Sequence, residues 1–210
     1  MNADSIESRL TAGAEALGIV LEPAQVQALL ALMAELMEWN TRFNLTAITE
    51  PAEIVDKHLL DSLAVLPRLR GLRIADVGSG AGFPGLPLAI ANPGRRYTLI
   101  ESTGKKAGYL RHAVAGLKLG NVEIVHGRAE ALTPRMPFDG VISRALGPLA
   151  DFIRMTGHLA GRDGRLLAMK GRLPEEELEA LPPGWKSLAV HPIRVPGLDA
   201  ERCLVELARV

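Results

Sequence analysis

Apolar residues in the first part of the chain recur with the spacing of helices. Between residues 23 and 39 they repeat every three or four positions, with Glu35 and Glu38 between them, which is the pattern of an amphipathic helix. By the same criterion we predict helices over residues 5–18, 23–39, 51–56 and 58–66. Because no strand pattern occurs there, residues 1–70 are expected to form a helical extension.

From residue 71 onward, short apolar runs of strand type alternate with helical patterns. We predict strands at residues 72–77, 97–101, 122–126, 138–143 and 164–169. Helices are predicted between them at residues 84–91, 104–117 and 148–160. Since alternating strands and helices form parallel sheets with helices on both faces, the predicted fold class is α/β.

The end of the chain breaks this alternation. Two further strands, at residues 186–195 and 202–209, have no helix between them and are predicted to pair as an antiparallel hairpin at the sheet edge. The acidic segment 174–183 is predicted to be a short surface helix. The mostly parallel sheet would then have seven strands, and residues 71–210 would form the core on which the helical extension packs.

Composition narrows the class of protein. The chain has 210 residues, of which 48% are hydrophobic, so it is globular rather than disordered. A single cysteine excludes a disulfide framework. The first ten residues lack the pattern of a signal peptide, and no uncharged apolar run reaches the roughly 18 residues of a membrane span. A cytoplasmic protein that does not associate with membranes is expected.

Charge is balanced over the whole chain but not along it. The formal net charge is zero, whereas it is −7 for residues 1–56, +7 for 57–118, +3 for 119–172 and −3 for 173–210. Attraction for a polyanion depends on local patches more than on the total charge. The zero net charge therefore does not argue against a nucleic-acid partner.

A glycine-rich segment follows the first strand of the core. It is Asp76-Val77-Gly78-Ser79-Gly80-Ala81-Gly82-Phe83-Pro84-Gly85. Glycines let the backbone turn sharply and approach a ligand, with the amides of a helix N-terminus close by. In an open α/β sheet such a turn borders the ligand crevice. We therefore predict that Gly78, Gly80 and Gly82 bind a cofactor.

Two cofactors are compatible with this loop. Residues 80–85 match G-x-G-x-x-G, and Glu101 lies 21 positions past Gly80, which is the spacing of dinucleotide sites. S-adenosylmethionine (SAM) is favoured by the additional Gly78 and by Asp76, whose carboxylate would attract the cofactor's ammonium group and repel a pyrophosphate. An NAD-dependent oxidoreductase is the alternative from another class.

The ends of the next three strands carry further candidates. Glu101 is placed to accept hydrogen bonds from two ribose hydroxyls. Ala129 and Glu130 follow the third strand, where an adenine would lie. Arg144 follows the fourth strand and faces the substrate, unless it forms a structural ion pair.

Several motifs, taken in order, resemble the glucose-inhibited division protein B family (RsmG). The resemblance covers nearly the whole chain and is densest in the glycine loop. The matching segments are Trp39-Asn40, Phe43-Asn44-Leu45-Thr46, residues 57–63, Asp76 to Ile90, Glu101-Ser102, Lys105-Lys106, Tyr109-Leu110, Ser143-Arg144-Ala145 and Lys170-Gly171.

The resemblance implies a class I SAM-dependent methyltransferase with a Rossmann-like core. The implied reaction methylates N7 of a guanine in the decoding-centre loop of 16S rRNA and leaves S-adenosyl-L-homocysteine. The implied partner is 16S rRNA or the small ribosomal subunit, and we expect a monomer. The residues implied to contact SAM are Gly78, Phe83, Ala129, Glu130 and Arg144, with Glu101 on the ribose.

The implied chemistry agrees with the residues present. Guanine N7 has a free lone pair and carries no proton, so positioning rather than a general base is required. Arg144 could hydrogen-bond the neighbouring O6. Cys203 is predicted to pack in an edge strand rather than act as a nucleophile. The five histidines show no spacing typical of a metal site.

Basic residues are candidates for phosphate contacts at the crevice edge. Those predicted to bind RNA are Lys105, Lys106, Arg111 and Lys170, with Arg95, Arg96 and Arg172 as further candidates. A SAM-dependent methyltransferase of small molecules is the nearest alternative function. A ribosome-binding assembly factor that holds SAM structurally is the non-enzymatic one.

Overall fold

A computed structural model describes residues 3–144 and 146–210. Met1, Asn2 and Ala145 of the motif Ser143-Arg144-Ala145 lie outside the described residues. The strands are β1 (Arg73–Val77), β2 (Arg96–Glu101), β3 (Val122–His126), β4 (Phe138–Arg144), β5 (Ala160–Lys170), β6 (Trp185–Ile193) and β7 (Arg202–Arg209). All seven predicted strands are present, and β3 and β7 have the predicted bounds.

The strands form a single sheet in the order β3-β2-β1-β4-β5-β7-β6. The first five strands are parallel, with β1 between β2 and β4. Strand β7 pairs antiparallel with both β5 and β6. The predicted mostly parallel sheet with a C-terminal hairpin is confirmed. The order reverses direction at β1, which is where such sheets bind ligands.

Helices precede and connect the strands. They are α1 (Ala3–Ala16), α2 (Pro23–Phe43), α3 (Pro51–Ile54), α4 (Asp61–Leu63), α5 (Gly85–Ala91), α6 (Gly104–Gly116), α7 (Leu149–Thr156) and α8 (Glu175–Glu179). A π-helix, Val55–Leu60, joins α3 to α4. The two short helices predicted at 51–56 and 58–66 are therefore one continuous helical segment ending at Leu63.

The boundary between α7 and β5 also differs from the prediction. Helix α7 ends at Thr156 rather than at residue 160, and β5 begins at Ala160 rather than at residue 164. Ala160 pairs with Phe138 before a register shift. The early part of β5 contains glycines and charged residues, so its sequence lacks the apolar run that marks a strand.

Successive strand residues pack on opposite faces of the sheet, as the pleat requires. Ile74 contributes to the core on one face and Ala75 to the core on the other. The first face is covered by α1, α2, α5 and α6, whereas α7 packs on the second. Helices thus lie on both faces, as predicted.

The N-terminal helices share a hydrophobic core with the sheet. Leu10 of α1 and Leu29 of α2 are fully buried in the same cluster as Ile74 and Leu99. The division into residues 1–70 and residues 71–210 stays a prediction.

The structure corrects the position assigned to Cys203. The residue lies in β7, which is flanked by β5 and β6, so it is in an inner strand and not at the sheet edge.

The helices of the described residues include none with the length and apolar character of a membrane span. The same residues include no cluster of three or more His, Cys, Asp or Glu side chains suited to a metal ion.

Candidate active site

The glycine loop is held by backbone and side-chain hydrogen bonds between β1 and α5. The Gly85 amide donates to Asp76 Oδ2 at 2.9 Å, and Ser79 Oγ donates to the Asp76 carbonyl at 2.9 Å. Gly80 and Gly82 have φ values of 58° and 93°, in the left-handed region that glycine adopts readily. The loop thereby turns around the end of β1, with Gly78 exposed and Gly80 partly exposed.

Asp76 is the buried carboxylate of this loop. It is fully buried, and its Oδ1 has no hydrogen-bond partner among the described residues. Burial raises the pKa of Asp76 to about 7, an effect opposed by the Gly85 amide and by the charge of Arg144. An unpaired buried carboxylate oxygen is costly unless a donor or cation meets it. This site therefore fits the ammonium group of SAM.

Glu101 ends β2 beside the loop and is also buried. Its Oε2 accepts from the Gly80 amide at 2.9 Å and its Oε1 from the Thr103 amide at 2.7 Å. Glu101 therefore fixes the glycine loop. Each carboxylate oxygen has two acceptor sites, so capacity for ribose hydroxyls remains.

The predicted adenine contacts lie one strand further along the sheet. Ala129 and Glu130 begin a short 3-10 turn, Ala129–Ala131, that follows β3. Ala129 is buried beside Val77 and Ile100 in the core, and Glu130 is exposed. The ends of β1, β2 and β3 thus place the predicted SAM contacts along one edge of the sheet.

A cavity of about 780 Å³ lies at the carboxyl ends of β4 and β5. Apolar side chains form part of its wall, with Met169 from β5, Leu146 from the loop after β4 and Phe152 from α7. Polar side chains also line the cavity. They come from the π-helix and α4 (Lys57, His58 and Asp61), from the strands (Arg144, Lys170 and Arg202) and from α8 (Glu177).

Arg144 is anchored by the N-terminal helical segment. Its Nη1 donates to the Lys57 carbonyl at 3.0 Å and to Asp61 Oδ2 at 3.1 Å. Its Nη2 lies 3.3 Å from His58 Nδ1, and its guanidinium lies 5.5 Å from the centre of the Phe83 ring. The structural ion pair considered from the sequence is therefore present, and it holds Arg144 at the cavity wall.

His58 is a buried, neutral link in this network. Burial, and next the charge of Arg144, lowers the pKa of His58 to about 4. Because a guanidinium can only donate, Nδ1 accepts and the ring proton lies on Nε2, 2.9 Å from Thr46 Oγ1. Nδ1 also lies 3.1 Å from the Lys57 carbonyl, and a hydrogen bond there would need the proton on Nδ1 instead. In that tautomer the Nδ1 proton would face the N–H donors of Arg144. The imidazole also stacks on Phe83, with ring centres 4.6 Å apart.

The sequence did not assign a role to two residues of the network. Asp61 is almost completely buried and bonds Arg144 through Oδ2 and Arg202 Nε through Oδ1, both at 3.1 Å. The motif at residues 57–63 indicated that this segment matters but not what it contacts. Arg202 lies in the divergent C-terminal hairpin and carried no signal.

The predicted RNA-binding residues fall into two groups. Lys105 and Arg111 are exposed and Lys106 is half-buried on α6, which begins beside Glu101. Lys170 instead donates to Glu177 at 2.8 Å and to the Gly147 carbonyl at 2.8 Å. A carboxylate therefore offsets the charge of Lys170.

Arg95 and Arg96 do not lie at the crevice edge. They precede or begin β2 and therefore lie at the amino edge of the sheet, opposite the glycine loop. Arg95 donates to the carbonyls of Gly71 and Leu69. The positive charge of the middle of the chain is thus spread over both edges, because residues before a parallel strand lie at the amino edge of the sheet and residues after it lie at the carboxyl edge.

Cys203 lines the cavity. The sequence predicted only that it packs in a strand. Its thiol lies 3.5 Å from the Arg172 carbonyl, and burial raises its pKa. Since the thiolate is the nucleophilic form, this thiol is poorly suited to attack a substrate.

The sheet order, the glycine loop and the adjoining cavity define a SAM-dependent methyltransferase of the Rossmann-like class. The glycopeptide N-methyltransferase MtfA, solved with S-adenosyl-L-homocysteine, superposes with a TM-score of 0.62 at 13% identity, over 73% of this chain and 87% of that chain. The mitomycin 7-O-methyltransferase MmcR gives a TM-score of 0.62 at 16% identity, over 90% of this chain and 69% of that chain. These structures share the fold.

Sequence comparison gives the family. The family model of rRNA small subunit methyltransferase G matches residues 25–205. A ribosomal RNA small subunit methyltransferase G of Azoarcus sp. (strain BH72) is 49% identical over 96% of this chain and 95% of that protein. A protein of the same name from Pseudomonas paraeruginosa (strain DSM 24068 / PA7) is 48% identical over 95% of this chain and 94% of that protein. The chain belongs to the rRNA small subunit methyltransferase G family, which confirms the resemblance and favours SAM over NAD.

Proposed function

We propose that this protein transfers the methyl group of SAM to N7 of a guanine in the decoding-centre loop of 16S rRNA. The observation that carries the proposal is the glycine loop after β1, whose Gly78 lies against Leu146 of the cavity at the ends of β4 and β5, in a chain of this family. The guanine and its N7 atom come from the sequence resemblance. The proposed SAM contacts are Asp76, Gly78, Gly80, Gly82, Phe83, Glu101, Ala129, Glu130 and Arg144.

The chemistry needs little from the protein beyond positioning. SAM supplies an electrophilic methyl group on a sulfonium. The N7 lone pair forms the new N–C bond as the S–C bond breaks, and the positive charge passes to the guanine without loss of a proton. Holding the two reactants in line is then the main contribution, and it can supply several kcal/mol.

The side chains of the cavity suit this reaction better than methylation of a pyrimidine carbon. The thiol of Cys203 is protonated because burial raises its pKa. The low pKa of His58 makes it a weak base, and Arg144 occupies its free nitrogen. Arg144 can donate to guanine O6 through an N–H that the described residues leave unused.

The target base has to leave its stack to reach the cavity. Proteins that modify bases act on single-stranded loops or flip the base out. Lys105, Lys106 and Arg111 flank the crevice on α6 and are proposed to bind the RNA backbone. Lys170 is proposed to do so only if RNA displaces Glu177. The protein is proposed to act as a monomer on 16S rRNA or the small subunit.

The test is methyl transfer from labelled SAM, followed by mapping of the label. Small ribosomal subunits that lack the modification, and 16S rRNA extracted from them, are the two substrates. We expect one labelled 7-methylguanine in the decoding-centre loop. Label at another atom would contradict the N7 proposal, and binding of subunits without transfer would favour an assembly factor.

A further inference from the structure

Arg202 stands on the cavity wall away from the glycine loop. It begins β7, which is separated from β1 by β4 and β5. Three strand spacings of about 4.8 Å put β7 roughly 14 Å from β1. The backbone of Arg202 therefore lies two strands further from the glycine loop than that of Arg144 in β4.

Asp61 holds both guanidinium groups. One of its carboxylate oxygens binds Arg144 and the other binds Arg202 Nε, each at 3.1 Å. The side chain of Asp61 is 4% exposed, and that of Arg202 is 29% exposed. This bond fixes the plane of the Arg202 guanidinium, so the group is preorganised rather than freely mobile.

The cavity keeps an excess of positive charge after its ion pairs are counted. Lys170 pairs with Glu177, and Lys57 pairs with Glu53. The single carboxylate of Asp61 serves two guanidinium groups, and His58 is neutral near pH 7. Among the described lining residues, one positive charge is therefore left without a counterion.

Arg202 also keeps donors available. Its Nε bonds Asp61 and its Nη1 bonds the Glu201 carbonyl at 2.8 Å. A guanidinium has five N–H groups, so three make no hydrogen bond within the described part of the chain. Planar pairs of such donors match the oxygens of a phosphate.

We propose that Arg202 binds a backbone phosphate of the acceptor RNA, beside the nucleotide that enters the cavity. This inference rests on the proposed function and adds a substrate contact from the C-terminal hairpin. One phosphodiester carries one negative charge, which matches the uncompensated charge of the cavity. The cofactor's carboxylate is the competing anion, and the distance of β7 from β1 disfavours it.

The experiment compares Arg202→Gln and Arg202→Lys with a matched control, Arg162→Gln. Arg162 is exposed near the amino end of β5, at the opposite edge of the sheet. The full-length proteins are assayed for methylation of unmodified small subunits at several salt concentrations with saturating SAM. Calorimetry gives their SAM affinities.

We expect Arg202→Gln to lower kcat/KM for RNA about tenfold or more, the effect of losing a charge-assisted hydrogen bond. The slope of log kcat/KM for RNA against log salt should shrink by about 0.7, as for one lost contact with single-stranded RNA. Arg202→Lys should restore the salt dependence but only part of kcat/KM, because a lysine keeps the charge and lacks the paired planar N–H donors of a guanidinium. Arg162→Gln should resemble the wild type.

The inference is overturned if the salt slope of Arg202→Gln equals that of Arg162→Gln, or if SAM affinity falls by the same factor as kcat/KM. If Arg202→Gln does not fold, Arg202→Lys decides through its loss of kcat/KM at unchanged SAM affinity. If the wild type methylates nothing, the proposed function fails. Filter binding of 16S rRNA by the same variants then tests the phosphate contact separately.

Discussion

Asp76 combines complete burial with an oxygen that the described residues leave unpaired. Its folded-state pKa of about 7 lies above the ordinary value of 3.8. Between these values the folded chain binds a proton that the unfolded chain does not, so this group stabilises the fold less as pH rises. A cation bound at Oδ1 would reverse that penalty.

The first prediction concerns SAM affinity and pH. Because a cation binds the ionised form of Asp76, we expect the affinity to rise about tenfold or more between pH 5.5 and 7.5. In Asp76→Asn the affinity should be lower and nearly independent of pH over this range. Titration calorimetry of both proteins checks this, and a flat wild-type profile would show that Asp76 does not hold the cofactor's ammonium group.

At the scale of elements, the turn between β1 and α5 contains glycines with different surroundings. A Cβ at Gly80 would meet only the Gly78 carbonyl, at 3.8 Å. A Cβ at Gly82 would lie 2.4 Å from Leu86 and 3.1 Å from Leu110. The first position borders open space over the loop, and the second is packed against the core.

These surroundings predict that alanine at Gly80 mainly affects SAM binding, whereas alanine at Gly82 mainly affects stability. Gly80→Ala should weaken SAM binding about tenfold, while its left-handed backbone costs about 1–2 kcal/mol of stability. Gly82→Ala should lose more stability, because overpacking adds about 1–3 kcal/mol to a similar backbone strain. Urea unfolding and SAM titration separate the two, and equal stability losses would contradict the packing argument.

The sequence predicted this turn better than it predicted the helical segment opposite. The glycines follow a clear apolar strand, so both the loop and its position at the sheet edge could be predicted. The π-helix Val55–Leu60 depends on an extra residue per turn, which apolar spacing does not register. Its contact with Arg144 joins residues 87 positions apart, and no local pattern specifies such a pairing.

At the scale of the whole molecule, the charge pattern was only partly informative. Lys105 and Lys106 lie beside the crevice, but Arg95 and Arg96 lie at the opposite edge of the sheet. The positively charged segment 57–118 supplies the Asp61 carboxylate to the cavity, and the negatively charged segment 173–210 supplies Arg202. Net charge by segment therefore predicted neither the location nor the balance of charge at the site, because the fold brings distant segments together.

The shared core predicts that the N-terminal helices and the sheet unfold as one unit. The two tryptophans report on different faces: Trp39 packs against Tyr109 on the face covered by α2, and Trp185 packs with the other face. In Trp39→Phe and Trp185→Phe, each leaving one tryptophan, fluorescence and far-UV circular dichroism should give the same urea midpoint.

A core substitution extends this test of cooperativity. Leu10→Ala in α1 should lower the free energy of unfolding by about 2–5 kcal/mol. The decrease should be the same whether unfolding is followed by the fluorescence of Trp39 or of Trp185. Val20→Ala is the control, since Val20 is 86% exposed, and it should change stability by less than about 0.5 kcal/mol. If Leu10→Ala shifted only the Trp39 transition, residues 1–70 would be a separate domain, and the anchoring of Arg144 could be lost without unfolding of the sheet.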